Sequence, residues 1–211
     1  MKEVLGVTTV RGGSKGLPRK NIRLLLGKPL MVWTIEQAKK SRLITRYVVS
    51  TEDKEMKELA LKHNVEVIDR PIELAQDETS TWEVLYDLLK RLKPYEPDAV
   101  VLLQAPCPIR KPGLIDSCIE KFFDEDIDSL VTGYYFEDTI WGKPIKRRQD
   151  IVKERTFVND GNVYVFRPEI ILNGDIVGKR YGYIFTSKEE HVDIDDEFDF
   201  WLAEKIMEER I

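Results

Sequence analysis

Short, almost wholly apolar runs alternate along the chain with stretches whose apolar residues recur at helical spacing. Residues 4–10, 47–50, 65–68 and 99–103 are the apolar runs. Their length predicts strands, and the run 99–103, with no polar residue, predicts a central one covered on both faces. Between them, residues 29–41 place Leu30, Trp33, Thr34 and Ala38 on one helical face. Thr51 is the expected cap of a helix over 52–63 with an acidic first turn. Residues 79–92 point Val84, Leu85, Leu88, Leu89 and Leu92 inward, and 112–123 reads as a further helix. Later strands are expected at 128–135 and 163–166, and a closing helix at 197–209. Residues 137–160 are charged and irregular and read as a short insertion.

This alternation predicts an α/β fold with three layers, α/β/α, around a mostly parallel sheet joined by right-handed crossovers. Such sheets bind ligands beyond the carboxyl ends of their strands. The loops at 11–21, 69–81 and 104–111 all follow strands, so they should converge on one crevice.

At 211 residues the chain fits a single domain over 1–211. A formal net charge of −5 argues against nucleic acid as a partner. No apolar run reaches the roughly 18–20 residues of a membrane span, and residues following the N-terminus lack a leader pattern. A cytoplasmic protein with no membrane partner is the expectation. Cys107 and Cys118 stand eleven apart, which argues against a disulfide framework or a zinc site.

Against this acidic background the loop Arg11-Gly12-Gly13-Ser14-Lys15-Gly16-Leu17-Pro18-Arg19-Lys20-Asn21 is an exception. Glycines let backbone N–H groups curl toward an anion, and the basic heads supply charge for phosphate oxygens. A P-loop is excluded, because Lys15 is followed by Gly16 and not by Ser or Thr. The glycine spacing also fails the dinucleotide fingerprint. A solvated basic loop is the other reading of these residues alone.

A second element is His191-Val192-Asp193-Ile194-Asp195-Asp196-Glu197-Phe198-Asp199. In extended chain Asp193 and Asp195 share a face and could hold Mg²⁺, while Asp196, Glu197 and Asp199 suit a helix start. A third is Gln104 to Arg110, a proline-stiffened loop after the central strand. A fourth joins Asp69, Arg70 and Pro71 to Asp77, Ser80 and Thr81, one of the last two being a helix cap. With only His63 and His191, a Ser-His-Asp or metal–histidine enzyme is improbable.

Together these elements resemble the cytidylyltransferases that activate acidic sugars, above all the acylneuraminate branch. Residues 11–16 with Lys20-Asn21, Arg70-Pro71 with Leu74-Ala75 and Asp77, Val192-Asp193-Ile194-Asp195, Arg148-Gln149-Asp150 and Asp160 to Tyr164 carry the resemblance. It implies a Rossmann-like nucleotidyltransferase, and a Mg²⁺-dependent transfer of CMP from CTP to a sugar, first a nonulosonic acid, with release of pyrophosphate. It assigns Arg11, Gly12, Gly13, Ser14, Lys15, Lys20, Asn21, Arg70, Asp77 and Ser80 to the nucleotide. Of these, Arg11, Lys15 and Lys20 would act in catalysis with Asp195. It gives Gln104, Lys146, Arg148, Asp160 and Tyr164 to the sugar and Asp193 with Asp195 to the metal. It also implies a homodimer joined through an arm that residues 137–160 shorten. Departures gather on the sugar side: Ala105, Pro106 and Cys107 replace Pro-Thr-Ser, and Asp160 replaces Asn, adding a carboxylate that would oppose a sugar acid. A different nucleotide or sugar, and a non-catalytic nucleotide-binding module, are the alternatives.

Overall fold

The computed structural model describes residues 2–137 and 155–210. Its elements in order are strand β1 (Val4–Thr9), a small ribbon of β2 (Leu24–Leu25) and β3 (Lys28–Pro29), helix α1 (Leu30–Lys40), β4 (Arg46–Thr51), α2 (Lys54–Lys62), β5 (Glu66–Asp69), α3 (Thr81–Arg91), β6 (Ala99–Leu102), α4 (Leu114–Asp124), β7 (Ser129–Glu137), β8 (Arg155–Phe166), α5 (Pro168–Leu172), β9 (Tyr181–Phe185) and α6 (Glu197–Glu208). Seven strands form one sheet in the order β5-β4-β1-β6-β8-β7-β9. Only β8 runs against its neighbours, β6 and β7; the other pairs are parallel.

The pleat explains the layers. On β6, Ala99 and Val101 face Cys118, Ile119 and Phe122 of α4. Val100 and Leu102 face Leu85, Leu88 and Leu89 of α3. Both faces are covered, which is why the run has no polar residue. Met31, Val32 and Ile35 of α1 and Met56 and Ala60 of α2 pack together around Val49.

Two expectations need correction, and two elements were not foreseen. Asp53, not Thr51, caps α2: its carboxylate accepts the Met56 N–H at 3.0 Å, while Thr51 ends β4. An Asx cap suits this junction because the strand carries through residue 51. Residues 155–160 are not irregular but form the first half of β8, paired with β7 from Glu137↔Arg155 to Gly133↔Asn159. Residues 138–154 of the expected insertion, with Lys146 and Arg148, lie outside the described residues. Strand β9 was not read from sequence, and neither was the short α5.

Candidate active site

The loops after β1, β5 and β6 do converge. With the stretch 192–195 they enclose a cavity of about 400 Å³ whose lining includes Arg11, Gly13, Ser14, Lys15, Lys20, Asn21, Arg70, Asp77, Gln104 and Asp195. It opens at the carboxyl ends of the parallel strands, where helix and strand directions leave a crevice.

The basic loop is pinned at its middle. Leu17 is buried beside Ile109, Val192, Ile194 and Phe200. Arg19 grips Asp53 and Glu55 at the start of α2. Gly12 donates its N–H to Glu52 Oε1 at 2.6 Å, and a Cβ there would lie 2.6 Å from Asp53 Oδ2. A Cβ on Gly16 would stand 2.3 Å from the Asp195 carbonyl oxygen. Gly13 has open space, so its side is free for a ligand.

Between these anchors the charges are arranged in pairs. Asp77 joins Arg11 at 2.7 Å and Lys15 at 2.8 Å. Lys15, and then Arg11, hold the Asp77 carboxyl below its ordinary range. Lys20, nearly buried, donates to the Ile194 carbonyl and to Asp195 Oδ1 at 2.9 Å. Arg70 is buried without an ion pair among the described residues; its Nη2 donates to the Ser50 carbonyl at 2.8 Å. Burial lowers its pKa from the usual value, and the Glu52 charge works the other way. Asn21 is buried and donates Nδ2–H to the Arg11 carbonyl, but its Oδ1 has no partner among the described residues. A buried acceptor left unpaired is costly, and this one belongs to a cavity-lining residue.

The acidic stretch follows the alternation expected of extended chain. Val192 and Ile194 turn inward, and Asp193 and Asp195 turn out together. The Ile194 N–H bonds the Pro106 carbonyl at 2.9 Å, tying this stretch to the loop after β6. Crowding by surrounding protein, and then the charge of Asp195, push the Asp193 carboxyl above its usual range. Asp196 caps α6, accepting the N–H groups of Phe198 and Asp199. Cap and paired carboxylates are therefore separate residues.

Several assignments move. Ser80 does not line the cavity; its hydroxyl caps α3 in a reciprocal box with Glu83, and the cavity takes Thr79 and Thr81 instead. Asp160 is buried in the sheet: Oδ1 accepts from Thr132 at 2.6 Å and from the Asn162 N–H at 3.0 Å, and Oδ2 accepts from Thr186. It spends its acceptors on the protein and does not offer the cavity an added carboxylate. Tyr164 is likewise inside, its hydroxyl donating to Asn159 at 2.7 Å and its ring edge-on to Trp82. Burial raises its phenol. Gln104 lines the cavity against Gly161, where a Cβ would lie 3.0 Å from Gln104 Oε1 and 2.8 Å from Cys107 Sγ. Cys107 is fully buried, and burial pushes its thiol well above the ordinary value, so it is not a nucleophile. Glu52 and Asp53 were missed as site neighbours, although they follow β4 at the same sheet edge.

A three-layer α/β domain with a glycine-rich basic loop opposite the Asp195 carboxylate, in one cavity at the strand ends, defines a nucleotidyltransferase. Residues 7–193 match the cytidylyltransferase family, and the chain belongs to that family. It is 31% identical to post-translational flagellin modification protein B of Campylobacter coli, over all of this chain and 97% of that one. It is 32% identical to the CMP-N,N'-diacetyllegionaminic acid synthase of Legionella pneumophila, over 97% of this chain and 96% of that one. It spans about half the length of longer relatives that are N-acylneuraminate cytidylyltransferases. In fold it is similar to a CMP:2-keto-3-deoxy-manno-octonic acid synthetase solved with CTP, with a TM-score of 0.77 at 13% identity over 99% of this chain and 100% of that one.

Proposed function

We propose that the protein transfers CMP from CTP to a hydroxyl of a nonulosonic acid and releases pyrophosphate. The observation that carries this reading is the cavity itself, which joins cationic and carboxylate ends around an unpaired amide oxygen. Arg11, Ser14, Lys15 and Lys20 take the triphosphate. The Asn21 Oδ1 accepts from a donor on the nucleoside, and Arg70 lines the same cavity with a charge that has no ion pair among the described residues. The sugar enters beside Gln104. Its hydroxyl oxygen bonds to the α-phosphorus, the bond from that phosphorus to the bridging oxygen breaks, and the hydroxyl proton passes to solvent. In-line placement and neutralised charge are the main needs of such a transfer.

Asp193 and Asp195 would hold Mg²⁺. Among the described residues they belong to no group of three or more carboxylate, His or Cys side chains placed to hold a metal. That set suits a cation bound by one or two carboxylates, its own waters and substrate phosphates. Bound there, Mg²⁺ would offset phosphate charge and acidify the attacking hydroxyl. The internal bonding of Asp160 removes the reason to disfavour an acidic acceptor. The relative from Legionella, named for a legionaminic acid, supports a nonulosonic acid over a neutral hexose. The same reading includes a homodimer, for which Tyr135, Tyr183 and Phe185 form an exposed aromatic face. It also includes a cytoplasmic setting, in keeping with two buried, unpaired cysteines. No described helix is long and apolar enough to cross a membrane.

Pyrophosphate release from CTP and Mg²⁺ across a panel of nonulosonic acids and hexosamines tests the reading. Release with a nonulosonic acid is the expected result. Preference for UTP, or CTP binding without release for any acceptor, rejects it. A finer test concerns Asp77, which in the free protein neutralises the cations meant for phosphate. Asp77→Asn is expected to lower the KM for CTP about three- to tenfold at low salt, with kcat nearly unchanged. A raised KM would instead make Asp77 a direct nucleotide ligand.

A further inference from the structure

Behind the loop that follows β6 lies a second cavity, of about 450 Å³, bounded by α1, residues 108–113 and the end of α6. It shares no lining residue with the first cavity. Its inner surface includes the buried apolar side chains of Ile109, Ile115 and Met207, with Trp33 alongside.

Its charge is one-sided. Four cations line it: Lys40, Arg110, Lys111 and Arg210. One carboxylate does, Glu36, and Lys28 already holds it at 2.6 Å. Lys111 and Arg210 have only long contacts with Glu190 and Glu189, at 3.5 and 3.9 Å. Lys40 has no ion pair among the described residues.

Arg110 makes the arrangement more than a basic rim. It is 7% exposed, and its guanidinium donates only to neutral groups. Nε reaches the Asn162 carbonyl at 2.9 Å, Nη1 reaches Thr34 Oγ1 and Gln37 Oε1, and Nη2 reaches the Gln104 carbonyl at 2.7 Å. No carboxylate pairs with it among the described residues. A buried cation that no carboxylate contacts among the described residues, at the edge of a roomy apolar cavity with more cations around it, favours an anion there.

We propose that this second cavity binds a small organic anion with a flat apolar body, a carboxylate, sulfonate or phosphate on an aromatic or aliphatic frame. The apolar part lies along Trp33, Ile109 and Met207, and the anionic group faces Lys40 and Lys111. Arg110 then connects the occupant to the first cavity, because the guanidinium that lines one space also holds the main chain of Gln104 in the other.

The probe is 8-anilinonaphthalene-1-sulfonate, followed by its fluorescence on the full chain first alone and then as CTP and Mg²⁺ are raised to saturation. Its uncharged counterpart N-phenyl-1-naphthylamine is the control. The sulfonate is expected to bind with one-to-one stoichiometry. Lys40→Glu/Lys111→Gln, both exposed positions, is expected to weaken it at least about tenfold without lowering the melting temperature. The uncharged amine should bind at least about tenfold more weakly than the sulfonate and be indifferent to the substitutions. Binding that the double variant leaves unchanged, or an amine that binds as well as the sulfonate, overturns the proposal. So does stoichiometric displacement by CTP, which would place the probe in the first cavity. If the double variant unfolds, Lys40→Gln alone carries the test, with a threefold or greater loss expected and no loss refuting. None of these readouts depends on turnover, so failure here is separate from failure of the proposed transfer.

Discussion

Asp195→Ala is expected to lower the rate of pyrophosphate release by at least about a thousandfold while the protein stays folded. The side chain is 77% exposed, and among the described residues its one ion pair is with Lys20. Losing such a pair costs about 0–1 kcal/mol. The main chain at this position does not depend on the carboxylate, because the Asp195 N–H is held by Asp199 Oδ2 and the preceding Ile194 is buried. Stability and rate are thus separable here. The substitution leaves Asp193 as the one carboxylate of the pair and leaves Lys20 with the Ile194 carbonyl alone. Steady-state rates at rising Mg²⁺, beside a thermal melt, make the measurement. A variant within tenfold of the wild-type rate would remove Asp195 from the reaction.

Gly16→Ala is expected to lower kcat at least about a hundredfold, and its neighbour Gly13→Ala to leave the melting temperature unchanged. The added methyl at residue 16 would stand 2.3 Å from the Asp195 carbonyl oxygen, a main-chain atom that no rotamer change can move aside. Either the basic loop or the stretch 192–195 must shift, and the two faces of the cavity separate. Displacement of about 1 Å is enough to cost two orders of magnitude in a positioned reaction. Overpacking of this kind also costs about 1–3 kcal/mol. At residue 13 the same methyl meets open space. Equal kcat for Gly16→Ala and the wild type would show that the contact between loop and acidic stretch does not set the reaction geometry.

Much of this site could be read from the sequence because parallel α/β topology does the gathering. Once the strands ending at Thr9, Asp69 and Leu102 are recognised, their following loops must meet, and they do. The alternation of Val192 and Ile194 with Asp193 and Asp195 is equally local, so burial on one side and exposure on the other follow from it. What escaped depends on partners far along the chain. Asp160 stands in the position of a motif residue, but Thr132 and Thr186, on and beside other strands, take its oxygens. Strand β9 is an edge strand with Tyr181, Tyr183 and Phe185 exposed, so it lacks the buried run that marks the central strands. At residues 51–53 and 80–81, neighbouring residues can each cap a helix, and the end of the preceding chain path decides which one does.

Leu17 gives the basic loop an asymmetry with consequences for how the enzyme can change over time. Because that side chain is sunk among Ile109, Val192, Ile194 and Phe200, it is a peg that divides the loop into two short segments, each tied down again at its far end by Gly12 or by Arg19 and Lys20. Residues 13–15 can be exchanged, lengthened in side chain or recharged without disturbing the interior. Any exchange at 17 reaches the acidic stretch and the loop after β6 at once. Adaptation to a new phosphate-bearing substrate is therefore cheap on one side of the peg, while the other side keeps the reaction geometry fixed through such changes.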